Sequence, residues 1–331
     1  MDTRMLGRTG LEVSVLGFGC GAVGGLMVRG NPVDQERVVA RAVELGINYF
    51  DTASMYGNGE SERNLGRVMK SLRPDIRVGT KVRITAAERS RVAAAVTASL
   101  DASLQRLQLD HVDLFQLHNH ITVEGRDSDL TPEIVLGDVA PAFERLREQG
   151  KTRFCGITAV GDTAALRRVV DARGFDTAQV SYNLLNPSAG TLVASGYPAH
   201  DYGNVLTHTK AAGMGVINIR VLAAGALSGN EERHPLGSPS VEPIGSGGSY
   251  RTDSERARRL EPLIREGHAG SLIEASLRFA IANDAVSTVL VGYSTIEQLE
   301  YAARSIDKGP LSREALARLA SLQNSFVGEP R

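Results

Sequence analysis

Cysteine is scarce: Cys20 and Cys155 are the only two in 331 residues, far apart and each in apolar surroundings. That excludes a disulfide framework and any CxxC redox or zinc spacing, and two buried thiols in a reducing compartment are expected. An excess of one charge is also missing, with 37 Lys and Arg against 38 Asp and Glu and a formal net charge of -1. No basic stretch offers the footprint of a nucleic-acid partner. No apolar run approaches the length of a membrane span, and no membrane partner is expected. The first residues, MDTRMLGRTGLEV, lack the basic and apolar regions of a secretory signal, so a cytoplasmic location is expected. His111, His118 and His120 cluster in sequence without a zinc-site spacing, and no metal is expected.

What remains is the composition of a folded chain with a sizeable core, 42% hydrophobic and 23% charged. Short apolar segments alternate with amphipathic ones along its length. The expected strands are Val15–Gly19, Asn48–Asp51, Arg77–Lys81, Val112–Leu117, Phe154–Ile157, Ala178–Val180, Gly215–Ile219 and Thr288–Val291. Between them the periodicity predicts helices, among them Asp34–Leu45 with Asp34 as N-cap, Ala87–Leu104 and Pro132–Gln149. Eight strand–helix units without a composition break predict one α/β domain over residues 1–331, a TIM (β/α)8 barrel. A doubly wound parallel sheet is the alternative. An N-terminal hairpin around Thr9–Gly10 and an outer helix at Leu311–Leu322 complete the outline. Residues 228–250, rich in Gly and Pro, read as a flexible loop above the barrel mouth.

Four polar residues stand at or just beyond the ends of these strands: Asp51, Tyr56, Lys81 and His118. On adjacent barrel strands they would meet at one rim, where active sites of such barrels lie. A tyrosine is a weak acid, with a pKa near ~10. A lysine beside its hydroxyl favours the phenolate and is expected to lower that value. Asp51 would hold Lys81, Tyr56 would protonate a carbonyl oxygen or deprotonate an alcohol, and His118 would orient the substrate. Met27, His120 and Tyr182 are candidate substrate-lining residues at the mouth.

The segments LGFGCGAVG (16–24), GINYFDTASMYGNGESERNLG (46–66), VGTK ending at Lys81 and LDHVDLFQLHNH ending at His120 resemble the aldo-keto reductase superfamily, and the resemblance extends over nearly the whole chain. It implies a TIM barrel that binds NAD(P) without a Rossmann domain and passes hydride between nicotinamide and a carbonyl carbon. It also implies the four roles just given. The cofactor residues it implies are Thr158 and Gln179 at the carboxamide, then Ile219, Arg220, Leu222, Gly225, Leu227 and Gly229. The last group is Gly292, Ser294, Thr295 and Gln298 at the adenosine end.

Several of these depart from the family pattern. Ala159 stands where an Asn is usual, and Ile219 where an aromatic ring stacks on nicotinamide. The 292–298 segment offers no cation for a 2'-phosphate, which favours NAD over NADP unless Arg304 compensates. The expected activity is hydride transfer between NAD(P) and an aldehyde or ketone, or the corresponding alcohol. An NAD-linked sugar (lactol) or alcohol dehydrogenase is one alternative; a noncatalytic nucleotide-sensing barrel is another. The expected partner is a small carbonyl, alcohol or sugar molecule, and the sequence leaves the oligomeric state open.

Overall fold

The computed structural model describes residues 1–229, 232–244 and 246–330. Two short antiparallel strands, β1 (Thr3–Met5) and β2 (Glu12–Ser14), form the N-terminal hairpin. Eight parallel strands then close into a barrel: β3 (Leu16–Gly19), β4 (Tyr49–Asp51), β5 (Arg77–Val82), β6 (Val112–Leu117), β7 (Thr152–Ala159), β8 (Thr177–Ser181), β9 (Gly215–Ile219) and β10 (Val286–Gly292). Each pairs with its successor and β10 returns to β3, so the doubly wound alternative falls. Among the described residues no helix is long and apolar enough to cross a membrane.

The hairpin has a positional role. Leu6, Leu11 and Val13 pack with the barrel residues Tyr49, Leu114, Ile217 and Leu290 in a separate apolar cluster. It plugs the base of the barrel, and each side chain so buried contributes about 1.5–3 kcal/mol. The larger apolar cluster lies between the strands and the surrounding helices.

Local chemistry shifts some element boundaries. The first long helix spans Pro32–Glu44, and its N-cap is Asn31, whose side chain accepts from the Asp34 N–H at 2.9 Å. Asp34 is a first-turn residue instead, because Pro32 fits the opening position, where no N–H is needed. The predicted helix over 87–104 divides into a 3-10 turn at Ala86–Arg91 and an α-helix at Val92–Leu107. The predicted helix from Pro132 contains a π-turn at Val135–Val139. Pro141 brings no N–H to the ladder there, and the hydrogen bonding widens. The last helix starts at Arg313, capped by Ser312.

Most of residues 228–250 is irregular, as its composition predicts; residues 230, 231 and 245 lie outside the described residues. The segment is tied to the loop after β3 and to the end of β8. Arg29 donates to the Leu236 carbonyl at 2.7 Å, Ser238 to Ala22 at 3.0 Å, and Ser181 to Ile244 at 3.3 Å. A helix at Tyr250–Arg258 follows, which composition did not reveal.

Gly19, Gly21 and Gly24 carry the spacing of a dinucleotide-binding glycine turn, yet only a four-residue helix, Leu26–Arg29, follows them. Gly24 serves packing: a Cβ there would lie 2.3 Å from the Gly292 carbonyl carbon and the Tyr293 nitrogen. Gly24→Ala must push the loop off β10. We expect a loss of about 1–3 kcal/mol, measured by chemical denaturation, because the colliding atoms are backbone.

Candidate active site

Strand register builds the site. Asp51 ends β4 opposite Gly79, and Lys81 pairs with Gln116 across β5 and β6. Alternation along parallel strands turns Tyr49, Asp51, Gly79, Lys81 and Gln116 to the barrel interior. Gly79 leaves the room they need, since a Cβ there would sit 2.5 Å from the Tyr49 hydroxyl.

Lys81 and Asp51 form a fully buried ion pair through Oδ2. The ammonium has three hydrogens. One goes to Asp51, one to the Thr52 carbonyl at 2.8 Å, and one to the Tyr56 hydroxyl at 3.2 Å. Because Tyr56 accepts from Lys81, its own proton is free to point elsewhere. The His118 ring stands edge-on to the Tyr56 ring, centroids 5.9 Å apart. All four residues singled out in the sequence therefore meet at one end of the barrel.

The other carboxylate oxygen, Oδ1, accepts from three neutral donors: Tyr49 at 3.2 Å, Gln116 at 3.0 Å and Gln179 at 2.8 Å. A carboxylate cannot face an amide oxygen at this range, so both glutamines must present nitrogen. Sequence reasoning missed Tyr49 and Gln116. Alternation along β4 and β6 could have placed both on the inner face, but not their convergence on one atom.

Burial raises the Tyr56 pKa, Lys81 pulling against it and Asp51 adding to it. The sequence expectation of a lowered value is corrected, because desolvation of a phenolate outweighs one cation that is itself shared with a carboxylate. Tyr56 is thus held protonated at neutral pH. Lys81 has a raised pKa: burial opposes its charge, but Asp51 and Tyr56 together outweigh burial. His118 is pushed down to about 3, first by burial, then by Lys81, Arg83 and His120. It is a neutral imidazole across the useful pH range.

The cofactor candidates fall on the other side of the mouth. Thr158 pairs with Gln179 across β7 and β8. Its buried hydroxyl has no hydrogen-bond partner, and Gln179, its nitrogen committed to Asp51, retains a carbonyl oxygen. That pair of groups fits a carboxamide. Ile219 is half-buried at the end of β9. Arg220 follows in left-handed backbone, φ 60°, donates to the Glu242 carbonyl and keeps a buried, unpartnered Nε, which fits a phosphate oxygen. Leu222, Gly225, Leu227 and Gly229 lie in or beside the 3-10 turn Ala223–Ser228, where Gly225 has φ 109°.

At the end of β10 the side chains are partly engaged within the protein. Gly292 is exposed, Ser294 donates to the Gly24 carbonyl at 2.6 Å, and Gln298 accepts from the Ser294 N–H at 2.8 Å. Thr295 caps the helix Ile296–Asp307. Two candidates for the mouth are buried. Met27 is buried in the core because its short helix is hydrogen-bonded against Tyr293, and Tyr182 is buried against Phe279, ring centroids 4.6 Å apart. His120 is exposed, 3.9 Å from Asp129.

Fold and site together define a closed α/β barrel with Asp51, Tyr56, Lys81 and His118 gathered at one end of its strands. The Aldo/keto reductase family model matches residues 15–324, and the chain belongs to that family. It is an NAD(P)-dependent oxidoreductase acting on carbonyl or alcohol substrates. It is 32% identical over 311 residues to the L-galactose dehydrogenase of Arabidopsis thaliana, covering 91% of this chain and 86% of that one. With the D-threo-aldose 1-dehydrogenase of a Pseudomonas species it shares 28% over 347 residues, covering 94% and 95%. The fold matches that of the aldo-keto reductase AKR11C1 from Bacillus halodurans in its holo form, with a TM-score of 0.72 at 24% identity, covering 100% of this chain and 98% of that one.

Two outcomes are expected. Gln116→Met keeps the packing but removes a donor from Asp51, which then draws Lys81 away from Tyr56. The Tyr56 pKa should rise further, so the rising limb of the oxidation pH profile moves to higher pH. We expect kcat to fall about tenfold, ~1.4 kcal/mol, with cofactor Kd unchanged. For His118, whose folded pKa lies below its unfolded value of 6.5, the neutral form favours folding above that pH. The contribution is lost as pH falls from 6.5 toward about 3. Imidazole NMR should show His118 neutral at pH 5, and His118→Gln should flatten the acid limb of the stability curve.

Proposed function

We propose that this protein is an NAD-linked dehydrogenase that oxidises the C1 hydroxyl of a sugar lactol, with Tyr56, Lys81, Asp51 and His118 as the acid–base group. The observation that carries the proposal is the direction of the Lys81–Tyr56 hydrogen bond. Lys81 donates at 3.2 Å, so the phenolic oxygen exchanges its own proton with the substrate.

When bound, the nicotinamide supplies the hydride acceptor. Once Tyr56 has released its own proton to solvent, a step favoured by alkaline pH, its phenolate takes the hydroxyl proton while the C1–H bond breaks and C1 becomes the lactone carbonyl carbon. Neutral His118 donates to the substrate oxygen without adding a charge. Lys81 stabilises the phenolate, and Asp51, held by its three donors, keeps Lys81 in place. Reduction of an aldehyde runs the same proton path backwards, with protonated Tyr56 as acid. Thr158 and Gln179 would hold the carboxamide, and Arg220 with the Leu222–Gly229 segment the pyrophosphate. Ile219 covers the ring by apolar contact alone.

The sugar substrate rests on similarity to L-galactose dehydrogenase and D-threo-aldose 1-dehydrogenase. The NAD preference rests on the cation-poor 292–298 segment. Arg304, in the helix that follows, lies 3.8 Å from Glu300, which is also bonded to Arg41 at 2.8 Å.

Fluorescence titration should give tighter binding of NADH than NADPH, and aldoses should be oxidised with NAD. Tyr56→Phe should lose at least ~1000-fold in kcat with NADH affinity retained, because the acid–base proton is gone while the cofactor contacts remain. Equal turnover by Tyr56→Phe would refute the assignment, and tighter NADPH binding would refute the cofactor preference.

A further inference from the structure

The reading of Tyr56 and His118 as the reacting rim leaves one charged neighbour without a use. β5 and β6 are in register with Val82 opposite Leu117, and the His118 N–H donates to the Val82 carbonyl at 2.7 Å. The next residues along, Arg83 and His118, therefore share a rung. Strand alternation places Arg83 on the same side as Lys81, two residues further toward the open end. Val82 and Ile84 on either side of it are buried, while Arg83 is exposed.

Its guanidinium has a neutral partner, the Ser128 hydroxyl at 2.8 Å, and makes no ion pair among the described residues. The carboxylates around it are otherwise directed. Asp51 is committed to Lys81, and Asp129, the residue after Ser128, faces His120 at 3.9 Å. An arginine beside a reacting centre with only a hydroxyl to hold has free N–H donors in the fork geometry that oxyanions match. Lys81 and Arg83 both place positive charge near His118.

We propose that Arg83 is a specificity-determining residue that receives an oxyanion of the substrate, a carboxylate or phosphate a few bonds from the reacting carbon. This rests on the proposed reaction at Tyr56 and His118, not on the identity of the sugar. Substrates bearing such a group are favoured over neutral ones of the same shape, and the preference weakens with salt.

The test uses two matched pairs, a hexose with its hexuronate and 6-phosphate in oxidation, and benzaldehyde with 4-carboxybenzaldehyde in reduction. Full-length wild type, Arg83→Gln and Arg83→Lys are compared. Arg83→Gln keeps a donor for Ser128 but loses the charge. The wild type should favour an anionic member of a pair by about tenfold or more in kcat/KM, ~1.4 kcal/mol. Arg83→Gln should abolish that advantage with neutral substrates changed less than about twofold, and Arg83→Lys should restore part of it. Whether the uronate or the phosphate gains more identifies the oxyanion. A wild type indifferent to charge in both pairs, or an Arg83→Gln that slows neutral and anionic substrates alike, overturns the proposal. Inert sugars beside an aldehyde pair that still shows the Arg83 effect refute the lactol reading alone.

Discussion

The Lys81–Asp51 ion pair is the interaction on which the rest of the site depends. Both charges are buried, and removing two ions from water costs several kcal/mol each unless every remaining lone pair and proton finds a partner. Here every ammonium hydrogen and both carboxylate oxygens do. Lys81 spends its hydrogens on Asp51, Thr52 and Tyr56, while Asp51 Oδ1 takes Tyr49, Gln116 and Gln179. The arrangement reaches downward as well. Tyr49 holds Asp51 with its hydroxyl and packs its ring into the apolar cluster under the hairpin, so the plug at the base of the barrel and the cluster at its open end share a side chain.

The open end divides by charge and by task. Strands β4 to β6 carry the proposed acid–base residues, and burial first, with nearby positive charge second, keeps His118 neutral. Strands β7 to β10 carry groups suited to a dinucleotide. Gln179 stands at the boundary, its nitrogen given to Asp51 and its oxygen left for the cofactor side. Thr158 beside it keeps a buried hydroxyl without a partner, while Ala159 supplies no amide. Residues 232–244 reach from the segment after β9 to the loop after β3.

Much of this was legible in the chain. The strand–helix alternation located all eight barrel strands, since buried parallel strands read as short apolar runs with helices between them. The four polar residues stood out because each follows such a run. Helix boundaries were less legible where one residue decides them: Asn31 with Pro32 moved a start, and Pro141 widened a ladder. The burial of Met27 and Tyr182 was not legible, because it comes from packing against Tyr293 and Phe279, distant in the chain.

By itself the sequence determined the barrel, the family and which four polar residues stand at the strand ends, because periodicity and residue type are local properties. Only the tertiary structure decided the sign of the Tyr56 shift, since burial and the sharing of Lys81 with Asp51 depend on how closely the strands enclose them. It also decided that Tyr49, Gln116 and Gln179 meet on one oxygen and that Arg83 stands beside His118. Those relations come from register across strands that are far apart in the chain, which no single segment encodes.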